Sequence, residues 1–262
     1  MSERPELFTK LAIEIPAELD LYEKLKAYQW NASTEIDWSR PVQNFTEETY
    51  ETVKSIFSRE DFDRLRARER AVTFAQLFVG EQAALALCGQ LLNMVPELET
   101  KFCLAGQIID EARHVEVFGR YLEKLGVEDS FVNPPLEDLI HRLLDSDHYG
   151  EKIVGMQIFL EGIAVGLFQR FQHDSPCPLL RDLIRLVLRD ESRHAGFGVI
   201  YLADRFRDVS TAERRRVEDF VADLWRLFHH ATGSPFGPMN EFLDSTFRDI
   251  RHRLGLIGLE LR

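Results

Sequence analysis

The chain is poor in cysteine. It has three in 262 residues, Cys88, Cys103 and Cys177, an odd number with no paired spacing. That argues against a disulfide framework and offers no thiolate set for zinc or an iron–sulfur cluster, so a reducing, cytoplasmic setting is expected. The opening Met1-Ser2-Glu3-Arg4-Pro5 has no apolar signal core. No segment alternates with period two long enough to propose a sheet, and no low-complexity tract interrupts the chain. Positive charge is also short, 32 basic residues against 44 acidic, which disfavours nucleic acid as a partner. The one basic run, Arg214-Arg215-Arg216, lies between Glu213 and Glu218 and reads as a solvated helix face. Ala71–Val95 is long enough to span a membrane, but Gln76, Glu81, Gln82, Gln90 and Asn93 break it, so no membrane partner is expected.

What is present is helical periodicity throughout one domain, residues 1–262, with 45% apolar content to fill a core. Short helices are expected over Glu18–Tyr28 and Thr46–Arg59, joined by a turn-rich stretch over Asn31–Asn44. A long hairpin follows, Asp61–Val95 and Glu97–Leu125, stopped by Gly126. After Asn133-Pro134-Pro135, Leu136–Ser146 crosses over to a second hairpin, Gly150–Gln172 and Pro178–Arg207. Ser210–His230, a loop at Gly233–Pro238 and a helix over Met239–Leu254 complete the chain.

Two strings, Asp110-Glu111-Ala112-Arg113-His114 and Asp190-Glu191-Ser192-Arg193-His194, repeat Asp-Glu-x-Arg-His 80 residues apart. Each has a lone glutamate 30 residues upstream of its own, Glu81 and Glu161, and the midpoints of those intervals fall on Pro96 and Pro176. A helix that turns at the midpoint runs about 21 Å out and 21 Å back, which sets Glu81 level with Glu111 and Glu161 level with Glu191. The chain therefore reads as a duplicated helical hairpin.

In Glu-x-x-His both side chains leave one face of a helix, so a carboxylate and an imidazole can reach one ion. Glu81 is the only charged residue between Ala71 and Val95, and Glu161 the only one between Ile153 and Gln169. A carboxylate amid a buried apolar helix costs several kcal/mol unless paired or metal-bound. Glu81, Glu111, His114, Glu161, Glu191 and His194 are thus the expected metal-ligating and catalytic set. Mixed oxygen and nitrogen donors suit iron or manganese, so the expected cofactor is two Fe, with Mn/Fe compatible. Asp110 and Asp190 are expected to accept the imidazoles' other N–H bonds crosswise, Asp110 from His194 and Asp190 from His114, with Arg113 and Arg193 balancing charge.

These strings resemble those of the ferritin-like superfamily of di-iron carboxylate oxygenases and oxidases: multicomponent monooxygenase hydroxylases, acyl-carrier-protein desaturases, ribonucleotide reductase small subunits and ligand-binding oxidases. Gln29-Trp30-Asn31 with Ile36-Asp37-Trp38-Ser39 is similar to the segment before the bundle in the last two branches. The resemblance implies an all-α fold, a ferritin-like four-helix bundle over about 61–207 with additional N- and C-terminal helices. It also implies O₂ activation, an electron-donating reductase or ferredoxin, and a homodimer. Phe118 stands where the reductase subunit has its radical tyrosine, and Gly162-Ile163-Ala164-Val165 lacks the threonine that monooxygenases and desaturases place after the third glutamate. Val187 replaces the extra histidine of the arylamine oxygenases.

The expected function is an O₂-activating non-haem di-iron monooxygenase or oxidase acting on a small, largely apolar molecule. A reductase-subunit-like oxidase and an iron-binding ferritin-like protein are the alternatives. His141, His148, His229, His230 and His252 read as surface groups, and Cys88 as a small core residue. Gly80, Ala84, Gly162, Gly166, Gly196 and Gly198 could leave room for substrate between Phe74, Phe78, Phe118, Phe168 and Phe197, or could permit close helix packing.

Overall fold

The structure, a computed structural model, describes residues 17–127, 132–232 and 238–261. Two short helices, α1 (Ala17–Ala27) and α2 (Glu47–Val53), precede the first hairpin, α3 (Arg59–Met94) and α4 (Leu98–Lys124). Helix α5 (Pro134–Leu144) crosses to the second hairpin. That hairpin is α6 (Tyr149–Val154), a π-helical stretch over Gly155–Leu160, α7 (Glu161–Asp174) and α8 (Pro178–Arg205). Helices α9 (Thr211–Thr232) and α10 (Pro238–Leu256) close one side, and the described residues contain no strand. Both turns come where the repeat places them, around Pro96 and Pro176.

Local signals set the boundaries. The Ser58 hydroxyl accepts a hydrogen bond from the Asp61 amide at the start of α3, and Glu60 and Asp61 suit the positive helix end. Asn133 caps α5 in the same way, with Pro134 in its first turn. Gly126, at φ 73°, takes the left-handed turn that ends α4. Two boundaries differ from the expectation. Residues 54–58 break the helix expected through Arg59, because Ser58 caps α3 and leaves the α2 end outside it. The π-helical stretch has no signal in apolar spacing. The expected loop at Gly233–Pro238 lies largely outside the described residues.

Two apolar clusters fill the bundle. One gathers Phe74, Val117, Phe118, Phe168, Leu183 and Val187 under the N-terminal segment of Trp30, Ala32 and Ile36. The other holds Leu87, Leu91, Leu104, Phe159, Leu202 and Phe220. Phe74 and Phe118 meet edge-on, centroids 5.6 Å apart at 76°, and each such buried ring stabilises the fold by about 1.5–3 kcal/mol. Truncating Leu87, fully buried, to alanine would cost about 2–5 kcal/mol. Along α3, α4 and α8 the buried polar residues fall between these clusters, so the site sits mid-bundle with apolar packing above and below. Helix α3 alone among the described residues is long and apolar enough to cross a membrane; here it is a bundle wall with Glu81 turned inward and buried.

Candidate metal centre

All six expected ligands converge, each 6% exposed or less. Glu81, Glu111, His114 and Glu191 bring one donor atom apiece to within 4.8 Å of one another, and so do Glu111, Glu161, Glu191 and His194. Glu111 and Glu191 belong to both groups, as expected of residues shared between two ions. The imidazole centroids stand 6.1 Å apart.

The Nδ1 atoms face the carboxylates. That of His114 lies 2.9 Å from Glu191 and 3.4 Å from Glu81, and that of His194 lies 3.3 Å from Glu111 and 3.7 Å from Glu161. Neither Nδ1 makes a hydrogen bond, nor do Glu111 Oε2, Glu161 Oε2 or Glu191 Oε1. Buried polar atoms without partners are costly, and five of them pointing at one spot are the donors two cations would use. The residues present fit a dimetal group.

The opposite ring nitrogens are held as the sequence predicts. His194 Nε2 is 3.1 Å from Asp110 Oδ2, and His114 Nε2 is 3.4 Å from Asp190 Oδ2. This crossing fixes Nε2 as the protonated atom and leaves Nδ1 free for an ion. Arg113 bonds Asp110 and, at 2.9 Å, Asp190; Arg193 bonds Asp190 at 2.5 Å and Asp110 at 3.3 Å. Two aspartates and two guanidiniums thus form a closed, charge-neutral square behind the histidines.

Electrostatics bear on the same point. Burial, then the charge of Glu191, pushes the Glu81 carboxyl up to about 8, and the same causes raise Glu161 well above its usual range. Burial opposes charge on the imidazoles, yet Glu191 and Asp190 around His114, and Glu161 and Glu111 around His194, hold both well above the usual histidine range. Too many negative charges are packed here to stand without positive charge among them. Without metal, protons would supply it, and divalent ions would displace them.

Beside the carboxylates lies a cavity of about 350 Å³. Glu81, Glu111, Glu161 and Glu191 share its wall with apolar groups that include Leu77, Ala84, Leu139, Ile163, Leu167 and Phe228. Gly80 lines it with open space where a Cβ would stand, whereas Gly198 packs so close that a Cβ would meet Gln157 Cβ at 2.6 Å. Gly162 and Gly166 face α10 in ordinary contact, and Gly196 meets nothing. Of the five phenylalanines, only Phe168 lines the cavity. Phe118 packs between Phe74 and Phe168, and Phe197 stacks on Tyr201.

Several residues around the site carried no assignment from sequence. Trp30 Nε1 donates to Asp190 Oδ2 at 2.6 Å, Gln29 Nε2 donates to Asp110 Oδ1 at 3.0 Å, and Arg113 lies over the Trp30 ring at 4.6 Å. The quoted Gln29-Trp30-Asn31 string was the available signal for these. Gln107 and Gln157, both fully buried next to the carboxylates, had none. His148 is more than a surface group: its Nδ1 accepts from the Glu151 amide, capping α6, and its Nε2 is 3.1 Å from Glu213. His141, His229, His230 and His252 are exposed, and Cys88 is core.

An all-helical bundle with a mid-bundle carboxylate–histidine cluster defines the ferritin-like class of fold. No protein-family model and no curated protein matches the sequence, but solved structures do. An R2-like ligand-binding oxidase from Sulfolobus acidocaldarius is similar at TM-score 0.70 and 18% identity, over 95% of this chain and 93% of that one. A variant of an R2-like ligand-binding oxidase with anaerobically reconstituted Mn/Fe cofactor gives 0.69 and 18%, over 94% of each chain. Another with a non-activated Mn/Mn cofactor gives 0.70 and 18%, over 93% of each. Likeness at this identity establishes the shared fold.

Proposed function

We propose that this protein is a dimetal carboxylate oxidoreductase that activates O₂ and oxidises a small, largely apolar organic molecule held in the cavity. The observation that carries it is the shared wall: four cluster carboxylates open onto an apolar cavity of about 350 Å³, the size and character of a small-molecule site. Glu81, Glu111, His114 and Glu191 would hold one ion, and Glu111, Glu161, Glu191 and His194 the other. The pair is two irons or one manganese and one iron, as neighbouring oxidases of this fold carry manganese and iron. When bound, it supplies the redox chemistry with O₂.

The chain's own residues do the rest. Asp110 and Asp190 keep a proton on each Nε2, so each Nδ1 stays a donor. The facing imidazoles, His194 at Asp110 and His114 with Arg193 at Asp190, hold those aspartates ionised. Apolar walls exclude water and present a substrate C–H or N–H bond to the carboxylate face. No hydroxyl follows Glu161, so proton handling falls to the carboxylates themselves. Electrons come from a reductase or ferredoxin, in a cytoplasmic setting. The most apolar 18-residue stretch of α3 is only 39% buried within the chain, and Val72 and Ile109 stand more than half exposed. This supports a homodimer that covers the α3–α4 face, with sedimentation velocity as the check.

The test is reaction of the anaerobically iron-loaded, reduced protein with O₂, followed by stopped-flow absorbance and electron paramagnetic resonance. Phe118, fully buried one turn beyond His114, offers no phenol to oxidise. A transient coloured species without a long-lived tyrosyl signal is expected. A stable tyrosyl radical in good yield would favour the radical-generating reading, and failure to bind iron would remove both.

A further inference from the structure

Gln107 and Gln157 are uncharged, do not line the cavity and are buried to 1% and 0% exposure beside the cluster. The Gln107 amide has two N–H bonds and spends both on carboxylates from different helices. Nε2 reaches Glu111 Oε1 at 3.0 Å and Glu161 Oε1 at 2.6 Å. Its own Oε1 accepts from Gln157 Nε2 at 2.8 Å. That bond decides which way the Gln107 amide faces, since the flipped amide would set a carbonyl against two carboxylates.

Gln157 reaches this position because it sits in the π-helical stretch, the irregular turn just before Glu161. Gly198 of α8 lies against it, with no space for a side chain. The oxygens that Gln107 does not hold, Glu111 Oε2 and Glu161 Oε2, are the two without hydrogen bonds. On the other side of the cluster, no side-chain amide among the described residues reaches Glu81, whose partner is His114.

We propose that Gln107 is a positioning residue for the metal position beside His194: its amide holds Glu161 by Oε1 so that Oε2 faces His194 Nδ1, it steadies Glu111, whose Oε1 lies beside His194 and whose Oε2 lies beside His114, and Gln157 locks that amide. The two positions of the pair are therefore inequivalent, although their ligand strings repeat. The inference rests on the dimetal reading above.

Cobalt(II) titration of the metal-free full chain tests it, with visible absorption reporting coordination and elemental analysis counting ions. Wild type is expected to fill in two steps. Gln107→Leu should weaken one of the two steps by about 10–100-fold, as is typical of partners that orient ligands, alter that step's absorption band, and change the other step far less. Gln107→Glu, able when protonated to restore one donor, should fall between. Gln157→Met, which touches no ligand, should weaken the same step by a smaller factor.

A folded Gln107→Leu that fills both steps normally, or loses both equally, overturns the proposal. Should that variant fail to fold, two unchanged steps in Gln157→Met overturn it instead. A wild-type protein that binds no cobalt sinks the dimetal reading itself and this inference with it, an outcome distinct from a normal wild type with silent variants.

Discussion

The two hairpins carry one pattern in two settings. Glu81 sits in a regular stretch of α3 beside Gly80, where the backbone has open space, and its carboxylate is paired with His114. Glu161 follows a π-helical turn, and its carboxylate is bonded by Gln107, which Gln157 holds in turn. The first glutamate faces a cavity with room to move. The second is tethered by its own protein. Duplication fixed which donors meet at the centre, and the irregular turn then made the halves different.

The largest effect should come from the two residues that the halves share. Glu111 and Glu191 each belong to both four-residue groups, so Glu111→Ala or Glu191→Ala should bring metal content from two ions per chain to one or none. Glu81→Ala should cost the His114 position alone. Elemental analysis after anaerobic iron loading checks this, and equal loss in all three variants would break the picture of two positions with shared bridges.

Next come the aspartates. Asp110→Asn and Asp190→Asn keep the shape but change an acceptor that fixes a histidine tautomer, so metal retention should weaken by about 10–100-fold with the fold intact. Each aspartate also accepts from both arginines and from one N-terminal side chain, Gln29 for Asp110 and Trp30 for Asp190, so the two variants should weaken binding alike. Competition with a chelator of known affinity measures both. Unchanged affinity in the pair would make these aspartates mere partners of Arg113 and Arg193.

How much of this was legible beforehand follows from what kind of spacing each feature leaves. The bundle, its turns and all six cluster residues could be read because a carboxylate alone in an apolar helix has few physical excuses, and because the offset of 30 recurs. The crossed aspartate–histidine pairs were legible too, since a ligand imidazole needs an acceptor behind it. The glutamines were not. Gln107 and Gln157 are neutral and unrepeated, and the second depends on a π-helical turn that leaves no trace in apolar periodicity. Trp30 stood in a recognised string, yet only the packing of the N-terminal segment over α8 gave it a partner. Of the small residues, only the structure could separate those that open space from those that close it.

The pH response of the metal-free protein should be smaller but clear. Glu81, with its carboxyl near 8, and Glu161, also raised, bind protons in the folded state that they would release when unfolded. Both imidazoles are raised as well. Between roughly pH 5 and 8 the folded state therefore binds more protons, so stability falls as pH rises. A Tm decline of about 5–10 °C across that window is expected for a chain of this length. The metal-loaded protein should show little of it, because the ions replace those protons. A rising or flat curve without metal would mean that the cluster is already ionised.

The smallest effects separate the halves most finely. Gly80→Ala adds a methyl where nothing lies within 4 Å, so it should raise stability by about 0.5–1 kcal/mol, the helix-interior cost of glycine relative to alanine. Gly198→Ala adds the same methyl 2.6 Å from Gln157 Cβ and 2.8 Å from the Gln157 carbonyl oxygen. Backbone must shift there, at a cost of about 1–3 kcal/mol, and the shift would carry Gln157 away from Gln107. Urea denaturation of the metal-free variants gives the signs: opposite signs mean that one hairpin has slack at its glycine and the other does not. Two stabilising changes would mean that α8 and the π-helical turn are free to move apart, and then Glu161 is no more tightly tethered than Glu81.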